Sequence, residues 1–98
     1  MANKRLARIR RNPKAVSWED LDRELRAEGF AAEETGGSHV VYRHPKTRAT
    51  ISVPRRRPYL LPVYVGEALV LLDAAIRQRE EEAHRRRQQQ EQEGATHD

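Results

Sequence analysis

The stretch Gly36-Gly37-Ser38-His39-Val40-Val41-Tyr42-Arg43-His44-Pro45 fixes more of this chain than any other. It is a glycine turn, a β-branched and aromatic run, and a proline stop, which together predict a turn feeding a strand. A glycine there permits positive φ and leaves no side chain to block an approaching backbone or phosphate. Upstream, Ala31–Thr35 reads as a weak first strand that the Gly36-Gly37 turn pairs with Ser38–His44 as a hairpin. Downstream, Pro45-Lys46-Thr47 turns the chain again into a third strand, Arg48–Val53, in which Ala49, Ile51 and Val53 alternate with Arg48, Thr50 and Ser52. The expectation is a three-stranded antiparallel meander.

Helical patterns bracket the meander. Ser17 fits an N-cap, with Glu19 and Asp20 in the first turn to complement the dipole. Val16 and Leu21 are spaced as a hydrophobic staple, and Trp18, Leu21 and Leu25 give a core face. Gly29 ends this helix, expected over 17–28, at the C′ position. The second helix opens at Pro62, where the missing N–H is tolerated. Val65, Ala68, Leu69, Leu72, Ala75 and Ile76 form its apolar stripe. Leu61, Tyr64 and Leu71 lie partly off that stripe, either completing the core or forming a patch for a partner. The order α-β-β-β-α, with both helices on one sheet face, defines an α+β domain arranged like double-stranded-RNA-binding domains.

The chain of 98 residues holds one domain at most, with a small core. It has no cysteine, hence no disulfide framework and no thiolate metal site. No apolar run approaches a membrane span, and no apolar segment follows the basic N-terminus as in a secretory signal, so the cytoplasm is expected. The net charge of +4 is unevenly spread. Residues 1–14 hold six Lys or Arg and no acid, residues 15–76 hold eight basic and nine acidic residues, and residues 77–98 hold five and six. Residues 1–14 therefore read as a basic arm, 15–76 as the domain, and 77–98 as a charged extension, helical or disordered. Leu6 and Ile9 give the arm little to bury, so alone it frays; it is either a phosphate tether or a disordered leader. In the extension, Glu80–His84, Glu81–Arg85 and Glu82–Arg86 are i,i+4 pairs without an apolar face. Within the domain the basic density peaks at Arg55-Arg56-Arg57, between Pro54 and Pro58, which suggests a polyanion such as nucleic acid.

On the central strand Val40 and Tyr42 share one face, and His39, Val41 and Arg43 the other. Both faces carry apolar residues, so periodicity does not settle which is buried. The favoured reading turns Val40 and Tyr42 toward the helices and His39 and Arg43 to the open face, with Tyr42 in the core rather than as a base-stacking platform. His39 and His44 fall on opposite faces with no acidic neighbour in sequence, which argues against a metal site. Ser38 and His39 are adjacent strand residues and point opposite ways, which argues against a hydrolase triad. A lone histidine among cations suits metal-free RNA cleavage, where the 2′-hydroxyl is the nucleophile and imidazole moves the proton. No cofactor is implied. Arg43, Lys46, Arg55, Arg56 and Arg57 are candidate phosphate contacts by charge and placement, and His44 a structural or turn residue.

Gly-Ser-His followed by Val40-Val41, an aromatic, Arg43, His44 and Pro45 resembles the signature of the HicA family of toxin ribonucleases. The resemblance runs from about Val16 to Ile76, through Glu28-Gly29-Phe30 and Thr50-Ile51-Ser52-Val53-Pro54. It implies an mRNA-cleaving endoribonuclease toxin of a type II toxin–antitoxin system, with His39 catalytic, Gly37 and Ser38 beside it at the RNA site, and a cognate HicB-like antitoxin as partner. Many relatives have a second histidine after the third-strand proline, where this chain has Arg56. Two alternatives stand beside this reading: a non-catalytic RNA-binding module of the same fold, and a domain that only binds a protein.

Overall fold

The computed structural model describes residues 3–95. Its elements are α1 (Lys4–Arg11), α2 (Trp18–Ala27), β1 (Ala31–Glu34), β2 (His39–Arg43), β3 (Thr50–Pro54) and α3 (Pro62–Ala95). From α2 onward the order is the expected α-β-β-β-α.

Local chemistry sets the ends of α2. The Ser17 hydroxyl accepts from the Asp20 amide at 3.1 Å. At the other end Gly29 adopts φ +98°, and two bonds close the last turn: Phe30 N–H to Leu25 C=O (3.0 Å) and Gly29 N–H to Arg26 C=O (3.1 Å). That double closure is a Schellman cap, and it turns Phe30 back into the core.

The sheet runs β1-β2-β3, antiparallel throughout. Val40 pairs with Val53, Tyr42 with Ile51, and His39 with Pro54. Val40, Tyr42, Ile51 and Val53 are all buried, and they join Leu21, Leu25, Val65, Ala68 and Leu72 in one core. The helices therefore cover a single face of the sheet. His39, Arg43, Thr50 and Ser52 are exposed on the other face, with Val41 half-buried between them. The face ambiguous from periodicity alone resolves as the favoured reading had it, because only this register lets both valines and the tyrosine meet the helical stripes.

Tyr42 is fully buried, and its hydroxyl donates to Asp22 at 2.7 Å. Asp22 also accepts from Arg26 at 2.9 Å. Asp22 thus joins the buried phenol to an exposed guanidinium of its own helix. Tyr42 is raised above the ordinary tyrosine value, first by burial and then by the Asp22 hydrogen bond.

The basic arm, expected to fray, is helix α1. Asn3 caps it, accepting from the Leu6 amide at 3.0 Å while its own amide donates to the buried Glu24 at 2.6 Å. Leu6 and Ile9 join the core. Arg8 pairs with Asp20 (3.0 Å) and Arg10 with Asp73 of α3 (2.6 Å). Two apolar side chains cannot hold an isolated helix, but here they are anchored by contacts from far along the chain.

Helix α3 runs unbroken through the charged extension to Ala95. Leu61 is exposed, while Tyr64 and Leu71 are half-buried. Two contacts hold the start of the extension to the domain: Arg79 to Glu28 at 2.8 Å and Lys46 to Glu82 at 2.5 Å. Of the three i,i+4 pairs expected in the extension, Glu82–Arg86 forms. No helix is long and apolar enough to cross a membrane among the described residues.

Candidate functional site

His39 is the first residue of β2, exposed on the open face. The loop before it turns at Gly36, whose φ of +83° needs glycine. Gly37 has no positive φ, and a Cβ added there would meet nothing within 4 Å, so it leaves open space beside the histidine rather than enabling the turn. The Thr35 hydroxyl donates to the His39 carbonyl at 3.4 Å, and the Arg55 amide donates to the Ser38 carbonyl at 2.8 Å. The first bond closes the loop on itself, and the second stitches it to the end of β3.

Ser38 lies in the bend before the strand, not in it. The rule that adjacent strand residues point apart therefore does not apply, and its hydroxyl comes 3.4 Å from His39 Nδ1. The contact is long, and it leaves Nε2 without a protein partner among the described residues. The ring can accept or deliver a proton there toward a ligand on the open face.

The expected cations separate into two groups. Because His39 pairs with Pro54, the Arg55-Arg56-Arg57 loop begins beside the histidine. Arg43 ends the same strand, four residues away, about 13 Å at the ordinary strand rise. Lys46 belongs to neither group: its ammonium turns to the helical side and binds Glu82. Most of these cations already hold carboxylates of their own chain. Arg43 lies 3.6 Å from Glu33, Arg57 3.0 Å from Glu19, and Arg55 pairs with Glu34. The Arg55 guanidinium also sits 5.0 Å from the centre of the Trp18 ring, a cation–π contact. Arg56 is exposed and has no ion-pair partner among the described residues.

His44 is buried, on the side away from His39. Its Nδ1 accepts from the Lys46 and Thr47 amides at 3.2 and 3.1 Å, and its Nε2 donates to the Glu28 carbonyl at 3.1 Å. Phe30 meets the ring edge-on at 4.9 Å. This histidine ties the β2–β3 turn to the end of α2, as a structural residue does. Sequence reasoning missed a groove of about 400 Å³ beside it, lined by Gly29, Ala31, Arg43, Pro45, Arg48 and Thr50. The available signal was Arg48, next to the turn and on the open-face alternation of its strand. Among the described residues, no three His, Asp or Glu side chains gather as metal ligands do.

The fold and this face define a small α+β domain: one helical layer under a meander whose open side carries His39 and Arg43, with the Arg55-Arg56-Arg57 loop leaving the sheet beside the histidine. Residues 18–65 match the family described as the HicA toxin of bacterial toxin–antitoxin systems. The matched segment is a HicA-type toxin domain that spans α2, the whole sheet and the first turn of α3. Comparisons with curated proteins and with solved structures give no significant match.

Proposed function

We propose that the chain is an mRNA-cleaving endoribonuclease with His39 as its general acid/base, held in check in the cytoplasm by a HicB-like antitoxin that covers the open face. The observation that carries this is the placement of His39: exposed, its Nε2 without a hydrogen-bond partner among the described residues, and paired across the sheet with Pro54, after which three arginines follow. In this reading His39 removes the proton of a 2′-hydroxyl. The 2′-oxygen forms a bond to the adjacent phosphorus as the P–O5′ bond breaks. The proton passes to the departing 5′-oxygen, leaving a 2′,3′-cyclic phosphate and a 5′-hydroxyl. Ser38 and Gly37 border the reacting phosphate, and Arg55, Arg56 and Arg57 offset charge on it; Arg43 and Lys46 are further candidate contacts for the flanking RNA. A positioned acid/base supplies about 10²–10⁴-fold in rate.

The test is cleavage of RNA in EDTA by the antitoxin-free protein, beside His39→Ala, with both shown folded by circular dichroism. The expected result is cleavage by the parent and a fall of at least about 10²-fold in the variant. A folded parent that cuts nothing sinks the nuclease reading. One observation favours the alternative of an RNA-binding module: no second titratable side chain contacts His39 among the described residues. Equal RNA binding by two inactive, folded proteins would move that alternative ahead.

A further inference from the structure

The groove at the far end of β2 has features of a second contact on the same strand. Arg43 and Thr50 are a cross-strand pair in its lining, Ala31 faces Arg43 from β1, and Gly29, His44 and Pro45 line it too. Arg48 lies on its rim with φ +66°, a left-handed conformation that an arginine adopts at a cost. That conformation is held by His44, whose carbonyl accepts from the Arg48 amide at 3.0 Å and whose amide donates to Ala49 at 2.9 Å. Arg48 has no ion-pair partner among the described residues, and Arg43 has only a loose one, 3.6 Å from Glu33. Two guanidiniums, a threonine hydroxyl and an apolar floor suit a phosphate with its sugar, and Arg43 stands on the same exposed face as His39.

We propose that this groove is an RNA subsite, in which Arg43 and Arg48 hold the phosphate of a nucleotide a short run along the strand from the one at His39. The proposal rests on the RNA reading above and adds to it a site about 13 Å from the histidine, set by four residues of strand. It predicts that the protein grips single-stranded RNA at two points and that substrate length matters.

The test uses the full chain carrying His39→Ala, so that nothing is cut, with and without Arg48→Gly. Glycine accepts φ +66° without strain, so the variant keeps the turn and its thermal midpoint is equal or higher. Fluorescence anisotropy is measured with a long single-stranded RNA oligonucleotide, with one too short to reach from His39 to the groove, and with poly-glutamate. Arg48→Gly is expected to weaken the long RNA by about 10-fold or more, the effect of one charge-assisted contact. It should also flatten the slope of log affinity against log salt by about 0.7. The short RNA should bind both proteins alike. Unchanged affinity and slope for the long RNA, with binding otherwise intact, overturn the subsite and leave the RNA reading standing. If His39→Ala binds neither RNA, the RNA reading fails and takes the subsite with it. A loss confined to poly-glutamate makes the groove a protein-binding site and also overturns the proposal.

Discussion

Two ring side chains on one strand take opposite surroundings from the face each stands on. His39 and Tyr42 are three residues apart, one exposed and one fully buried. Tyr42 anchors the sheet to α2 through Asp22, and Tyr42→Phe removes that bond while keeping the ring. The expected loss is about 1.5–3 kcal/mol by urea unfolding at pH 7, the usual worth of a hydrogen bond to a charged acceptor. The loss should also depend on pH. The folded-state value of Tyr42 is raised, so its stabilising contribution is full below about pH 10, where the unfolded tyrosine ionises, and fades as pH climbs from there. The gap between parent and Tyr42→Phe should therefore narrow in unfolding curves taken above pH 10; a gap that widens there contradicts the assignment. Arg48 is the residue that sequence reasoning handled least well. Read as the first residue of a strand, it is instead the left-handed closing residue of the turn, a conformation imposed by His44 and invisible in local propensity.

Elements bounded by their own local chemistry were legible. Ser17, Gly29 and Pro62 mark α2 and the start of α3 by capping rules that act within a turn of the chain, and the structure follows them within a residue. The strands followed too, since alternation and turn residues are also local. Helix α1 did not, because what holds it lies far along the chain: Leu6 and Ile9 pack into the common core, and Asp20, Glu24 and Asp73, 12 to 63 residues away from their partners, receive its polar side chains. The same separation hid the glutamates that pair with the expected phosphate contacts. Ile9→Ala is the direct test of α1 as part of the core. It should cost about 2–4 kcal/mol, as large-to-small changes at buried sites do. An arm that is only a tether would show no change in the urea midpoint.

The radius of gyration of 16.8 Å is larger than the roughly 13 Å of a compact chain of this length, because α3 projects beyond the sheet. The first part of that projection is fastened rather than loose. Lys46 and then Gln78 hold the Glu82 carboxylate down to about 2, while Arg79 reaches Glu28 at the end of α2. Both fastenings are exposed, so each is weak alone. Removing both, by Arg79→Ala with Glu82→Gln, should speed amide hydrogen exchange in 77–90 and leave β2 and β3 protected. Equal slowing or speeding across the sheet would mean that the extension is part of the cooperative unit.

The carboxylates beside Arg43, Arg55 and Arg57 bear on how long any polyanion stays in place. Each is tethered to the same chain as the cation it occupies, so when displaced it remains nearby at an effective concentration that a linked group reaches and a dissolved one does not. It competes again at once. A polyanion that met these three arginines would therefore exchange readily, whereas Arg48 and Arg56, with no such internal rival among the described residues, are where it would pause.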